Sequence, residues 1–377
     1  MKFDENSLYY ITTKLLGKRY SLFDLAKWKN GLAFRKIDFS DKGLPVIKIA
    51  ELNNGITAST SFTQGKYSEE VFLTKGDMVF SWSGNPQTSI DVFRYNLQDG
   101  WLNQHIFKVV ANEDIVDKEY LYYVLKYLKL NFTQIATNKQ TTGLGHVTLS
   151  DIKRISVVVP NNSVQKSIVG ILKAIDDKIL LNNAINDNLE KQITAIYKQK
   201  FSYVLQGNNE TVEQIVSFSN GKKRPNEEGT IPVYGGNGIL AYTNKYNSNN
   251  CIIIGRVGAY CGNVSYSPKE CWFCDNAIEA KSKISDSQLF AYYLLKNAEL
   301  PTRHIGTGQP LMTQGILNAI PCSLPELSEI EAFNTLCEPL YQKIVSNLTE
   351  NVQLTTLRET ILPKLLSGEI DVTGVEF

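Results

Sequence analysis

Two polar stretches are rich in side chains able to do chemistry. Arg303, His304, Thr307 and Gln309 stand in a glycine-broken stretch, and Asn138, Lys139, Gln140, Thr141, Thr142 and His146 stand in a similar one nearer the start. Their guanidinium, ammonium, imidazole, amide and hydroxyl groups donate and accept hydrogen bonds, which suits recognition of a polar or charged partner. A basic run, Lys222-Lys223-Arg224, follows Asn220-Gly221, and Arg256 stands between glycines after an apolar run. Bond-breaking machinery is harder to find. The GxxxxGK(S/T), GxGxxG, HExxH and GxSxG patterns are absent, and the three histidines, His105, His146 and His304, stand in different contexts. Cys271 and Cys274 form a lone CxxC, readable as a metal site or, more simply, as small buried apolar residues.

The elements that must position these groups emerge when the sequence is laid over itself. Leu121-Tyr122-Tyr123-Val124-Leu125-Lys126 recurs as Ala291-Tyr292-Tyr293-Leu294-Leu295-Lys296, and Thr142-Gly143 running to Pro160 recurs 165 residues later as Thr307-Gly308 running to Pro325. Val79 to Gly84 matches Ile253 to Gly258, and Asn30-Gly31 matches Asn220-Gly221, at offsets of 174 and 190. The first half therefore carries about 25 extra residues in its front portion, and its back portion is gap-free.

That back portion holds the clearest periodicity. From Ile168 a 4,3 spacing picks out Leu172, Ile175, Ile179, Asn182, Asn186, Leu189, Ile193 and Ile196, and adding 165 gives Phe333, Cys337, Leu340, Ile344, Asn347, Asn351, Leu354, Arg358 and Ile361. This heptad-type seam predicts two long helices that pair with each other. Arg358 departs from it, and Leu357 beside it is the expected substitute. A polar seam residue is costly alone and favourable against another, so Asn182 and Asn186 should face Asn351 and Asn347 in an antiparallel pair. The alternative is two separate amphipathic helices, each packed on its own domain.

The front portions read differently, as short β-type runs (Val46 to Ile49, Asp77 to Phe80, Ile106 to Val110, Val233-Tyr234, Cys251 to Ile254) with short aromatic helices at Tyr120 to Leu130 and Gln288 to Asn297. The expected fold class is α/β (α+β): two tandem globular domains, separated and followed by long helices paired as an antiparallel coiled coil with a pseudo-twofold. The expected boundaries are 1–159 and 207–325 for the globular domains, 160–206 and 326–370 for the helices.

Composition fits this and narrows the class. The 377 residues are 43% hydrophobic and 20% charged with net charge +1, typical of a folded chain of two or three domains. Residues 326–377 hold nine acidic side chains against three basic ones, so a polyanion would be held by the first 325 residues. Six cysteines are too sparse for a disulfide scaffold. Neither a signal peptide at Met1 to Tyr20 nor an apolar membrane span is evident, and a cytoplasmic location is expected.

The run Ile253-Ile254-Gly255-Arg256-Val257-Gly258, the run from Thr307-Gly308-Gln309-Pro310 to Leu324-Pro325, the paired helices and the closing Leu365-Leu366-Ser367-Gly368 together resemble the specificity subunits of type I restriction-modification systems. The resemblance covers nearly the whole chain. It implies that the front portions are target-recognition domains, each reading half of a bipartite site in double-stranded DNA. The helices would then set the spacer and dock two methyltransferase subunits, and motor-nuclease subunits would complete the restriction enzyme. It also implies a non-catalytic chain with no cofactor of its own, with S-adenosylmethionine, ATP and magnesium bound by partners. No Asn-Pro-Pro-Tyr type sequence, as an amino-methyltransferase would use, is present. The first half departs from the pattern, with Ser81-Trp82-Ser83-Gly84 in place of Gly255-Arg256-Val257-Gly258, and with His146 where Gln309-Pro310 leads one to expect a proline.

On this reading Lys222, Lys223 and Arg224 are DNA contacts or a solvated loop, and Arg256 grips a guanine edge or makes a structural ion pair. Lys139, Gln140, Thr141, Thr142 and His146 in one half, and Arg303, Thr307 and Gln309 in the other, contact DNA or form hinges. Trp82, beside Ser83, stacks, wedges or is buried. Two other function classes stay open: a two-headed enzyme using His146 and His304 as acid and base, and a bivalent scaffold for protein or sugar.

Overall fold

The computed structural model describes residues 9–10, 14–140, 143–207, 209–306, 308–372 and 374. The chain divides into two compact units, residues 1–179 with 352–377, and residues 180–351. Among the described residues no helix is long and apolar enough to cross a membrane.

In the first unit, a four-stranded antiparallel sheet runs in the order Ala26–Asn30, Ile106–Ala111, Met78–Ser81, Asp91–Arg94. Its strands alternate by side. Met78, Phe80, Phe107 and Val109 enter one core together with Tyr120, Tyr123 and Val124 of the Lys118–Tyr127 helix, and Val79 and Ile106 enter a second core with Ile47, Trp101 and Leu102. A second sheet, in the order Phe62–Thr63, Leu44–Ile47, Gly100–Leu102, Phe72–Leu73, supplies that smaller core.

The second unit repeats the plan. Its main sheet runs Val216–Asn220, Ala277–Ser282, Cys251–Gly255, Val264–Ser267, and a three-stranded sheet runs Gly238–Thr243, Ile231–Gly235, Trp272–Phe273. Ile252 and Ile254 face the main core, and Cys251 and Ile253 face the smaller one. The main core gathers Tyr197, Phe201, Phe290, Tyr293 and Phe333 within 6.4 Å ring-to-ring contacts. Each such ring, fully withdrawn from water, stabilises the unit by about 1.5–3 kcal/mol.

The long helices are Asn162–Phe201 and Leu327–Leu366, 40 residues each. The Asn161 carboxamide caps the first by accepting from the Val164 amide, and Gly368, with φ of 70°, follows the end of the second. Their stretches lie antiparallel within each unit. In the first, Asp176 meets Arg358, and Ile168 and Leu172 share a core with Leu365 and Leu366. In the second, the Asn182 Nδ2 donates to Asn351 Oδ1 at 2.9 Å, Asn347 Nδ2 donates to Asn186 Oδ1 at 2.8 Å, and the Tyr203 hydroxyl reaches Glu329.

Three sequence expectations are corrected. The Val46 to Ile49 run is a strand only over Leu44–Ile47, because the Glu51 carboxylate accepts from the Lys48 amide and starts the Ile49–Asn54 helix. The expected helix to Leu130 breaks at Leu128, and a second helix, Lys129–Asn138, returns Phe132 and Ile135 to the same core. Leu357 does not replace Arg358 in the seam: Leu357 is 48% exposed, and Arg358 turns inward to Asp176.

Candidate nucleic-acid interface

In the first unit the strand ending at Ser81 continues into Trp82 and Ser83. The Trp82 amide donates to the His105 carbonyl at 3.2 Å, and its carbonyl accepts from the Val147 amide at 2.8 Å. Ser83 pairs with His146 and Gly84 with Gly145 in a short antiparallel ladder. The loop bearing His146 is thereby fixed beside Trp82. The indole is half-buried, stacked on Phe107 at 5.6 Å with its Nε1 donating to Asn30 Oδ1 at 2.9 Å, and the His105 ring lies 5.7 Å away. Asn30 and exposed His105 were not singled out from the sequence; the repeated Asn-Gly at Asn30 and Asn220 was the signal available.

The second unit repeats this frame. The Arg256 amide donates to the Asn276 carbonyl at 2.9 Å, its carbonyl accepts from the Met312 amide at 2.8 Å, and the Gly258 amide reaches the Pro310 carbonyl at 3.0 Å. Pro310 therefore answers to Gly145, which pairs with Gly84 as Pro310 contacts Gly258, and the sequence expectation that His146 stood at the proline position is corrected by one residue. A bulky side chain cannot enter at Gly145, where a Cβ would lie 2.2 Å from the Ala136 carbonyl oxygen. Trp82 and Arg256 thus occupy equivalent backbone positions with unrelated side chains.

Around Arg256 the polar groups divide by role. Its guanidinium, half-buried, makes one long contact of 3.4 Å to the Asp275 carbonyl, and no carboxylate pairs with it among the described residues. Lys222, Lys223 and Arg224 are exposed; the Lys222 amide donates to the Phe273 carbonyl at 3.3 Å, and its carbonyl accepts from Trp272 Nε1 at 3.4 Å, which anchors the run at the sheet edge. Ile305 and Leu311 exchange backbone hydrogen bonds of 3.0 and 2.9 Å, closing the loop that presents exposed Gln309. Arg303 turns back, its Nε donating to the Ala298 carbonyl at 2.7 Å, and His304 buries Nδ1 without a partner among the described residues. Thr141, Thr142 and Thr307 lie outside the described residues.

Lys139 and Gln140 are both exposed, but Lys139 is committed. Its Nζ grips Asp151 at 2.6 and 2.7 Å. Burial pushes the Asp151 carboxyl up, and the hydrogen bonds from Lys139 and Thr148 outweigh it, holding it below the usual carboxylate range. The six cysteines are free and buried, with Cys251 and Cys271 in contact, sulfur to sulfur, at 3.4 Å. Among the described residues no three potential metal ligands cluster.

A buried ionic group that the sequence did not reveal joins sheet to helices in the first unit. Asp176 accepts from Arg94 Nη1 at 2.8 Å, Arg358 Nη1 at 2.7 Å and the Tyr123 hydroxyl at 2.7 Å. Burial raises the Asp176 pKa, but these three donors together hold it low. Offsets of 165 and 170 put Tyr341 and Tyr293 at the places of Asp176 and Tyr123. There Tyr341 packs on Tyr266 at 5.1 Å, so the second unit joins sheet to helix through aromatic rings.

The family described as "Type I restriction modification DNA specificity domain" matches residues 18–191 and 212–366. The Type I restriction enzyme HindI specificity subunit of Haemophilus influenzae is 27% identical over 195 residues, 49% of this chain and 40% of that protein. The MjaVIII specificity subunit of Methanocaldococcus jannaschii is 24% identical over 387 aligned positions, spanning 88% of this chain and 87% of that one. A crystal structure of the type I restriction-modification S subunit of M. genitalium shares the fold, with a TM-score of 0.58 at 18% identity over 97% of this chain and 98% of that one. With the family matched over both units, this chain belongs to the type I restriction-modification DNA specificity family.

Proposed function

We propose that this chain is the non-catalytic specificity subunit of a type I restriction-modification complex. Residues 1–159 and 207–325 each read one half of a bipartite site in double-stranded DNA; residues 160–206 and 326–370 set the spacer and dock two methyltransferase subunits. Motor-nuclease subunits join these in the full complex. The observation that carries the reading is one backbone frame used twice with different side chains on it, Trp82 in one unit and Arg256 in the other. A shared frame gives both units the same way of meeting a duplex, and unlike side chains give two unlike half-sites. S-adenosylmethionine, ATP and magnesium belong, on this reading, to the partner subunits.

Methylation profiling of a genome carrying this chain with its methyltransferase tests the proposal. The expected result is a motif of two unlike halves around a fixed unread gap. An uninterrupted motif, or no methylation dependent on this chain, overturns it.

A further inference from the structure

The strands Ile231–Gly235 and Gly238–Thr243 form a hairpin closed by the two residues Gly236 and Asn237, and Gly238, just after the loop, takes a left-handed φ of 86° that glycine adopts without strain. The register slips between Val233 and Tyr234, so that Leu240 is the extra residue of a bulge, a device that re-aims side chains. Ile239 and Leu240, adjacent and aliphatic, are 48% and 52% exposed. Single exposed apolar residues are ordinary, but a pair at a hairpin tip is an unusual use of surface.

The place of this tip identifies its occupant. A Cβ at Gly236 would lie 3.5 Å from the Gly255 Cα and 3.8 Å from the Tyr260 Cβ, so the turn rests on the strand end that delivers Arg256. At the base of the hairpin, Val233 pairs with Trp272, whose indole donates to the Lys222 carbonyl. The hairpin is thus joined to the strand end that delivers Arg256 and to the segment that carries Lys222, Lys223 and Arg224. None of these four cations is in an ion pair among the described residues, while Glu227 is taken by Lys245. Unpaired cations on the segments the hairpin packs against, with an exposed apolar tip on the hairpin itself, fit a polyanion with apolar groups within reach. The major groove of DNA admits a two-stranded ribbon and displays one apolar group on its base edges, the thymine methyl.

We propose that this hairpin is an apolar reading finger, with Ile239 and Leu240 packing against a thymine methyl in the half-site taken by the second unit. The inference rests on the DNA reading above. It applies to that unit alone. In the first unit the Leu44–Ile47 strand makes the same parallel pairing, Val46 to Trp101, but is followed by the Ile49–Asn54 helix, which exposes Asn53 and Asn54 in place of an aliphatic tip.

The test uses the full chain with its methyltransferase and a duplex carrying the profiled motif, with each thymine of the second half-site replaced in turn by uracil, which lacks the methyl. Wild type should bind about four-fold more weakly at one such position, and Ile239→Ser with Leu240→Ser should bind thymine and uracil duplexes alike. Both residues being half exposed, the double variant should keep the wild-type melting transition and salt slope. A second half-site without thymine, indifference of wild type to every uracil, or a variant that keeps the preference overturns the finger while leaving the DNA reading in place. Absence of any salt-dependent duplex binding overturns both.

Discussion

Asn347 and Asn186 meet by a single hydrogen bond, Nδ2 to Oδ1 at 2.8 Å, at seam positions that are 0% and 8% exposed. The other amide atom of each, Asn347 Oδ1 and Asn186 Nδ2, is buried without a partner among the described residues. Such half-satisfied pairs cost stability and oppose sliding, since a shifted register would bury each amide against aliphatic neighbours. Replacing both with Leu should raise the thermal midpoint, by about 1 kcal/mol in stability terms, and broaden the spacer lengths methylated. Unchanged spacer preference would show that these asparagines do not set register. Asn182→Ile with Asn347→Ile, which breaks two amide contacts at once, should disturb spacer choice more than affinity for a single half-site.

Asp176→Ala should destabilise the first unit by about 2–3 kcal/mol, somewhat less than the roughly 3–5 kcal/mol of a fully buried broken pair, because the Arg94 and Arg358 side chains are 31% and 32% exposed and stay partly solvated. The sign with pH follows from the lowered pKa of Asp176. Its contribution is full above the unfolded value of about 3.9 and is lost as pH falls through the folded value. Urea denaturation of wild type and variant should therefore differ by a constant amount above about pH 5 and converge in stronger acid.

Lys222→Ala with Lys223→Ala should flatten the dependence of log affinity on log salt by about two units, roughly 0.9 for each phosphate no longer neutralised. Lys139→Ala should leave that slope alone and lower the melting temperature instead, since Lys139 is held by Asp151. A fall in slope for Lys139→Ala would return that residue to the DNA interface.

Arg256→Gln should cost about 1–3 kcal/mol of discrimination at one position of the second half-site and none in the first, read by methylation profiling. Trp82→Ala should alter the first half-site alone. Exchange of residues 1–155 for the equivalent segment of another family member should likewise change one half-site, and a change in both would refute independent reading.

The repeat, the seam and the asparagine partners were legible in the sequence because they follow from local periodicity: a 4,3 spacing dictates which helix face is apolar, and a polar interruption on that face needs a polar counterpart. The Trp82 and Arg256 equivalence was legible as an offset of 174. What tertiary structure alone decided were contacts between residues far apart in the chain. Arg358 looked like a flaw in a heptad until Arg94 and Asp176, 82 residues apart, were brought to it. Lys139 looked like a free cation until folding set Asp151 beside it. Ile239 and Leu240 carry no signal of their own in the sequence, because whether an aliphatic side chain ends in a core or at an exposed tip depends on which strands flank it, and short-range pattern carries no record of that.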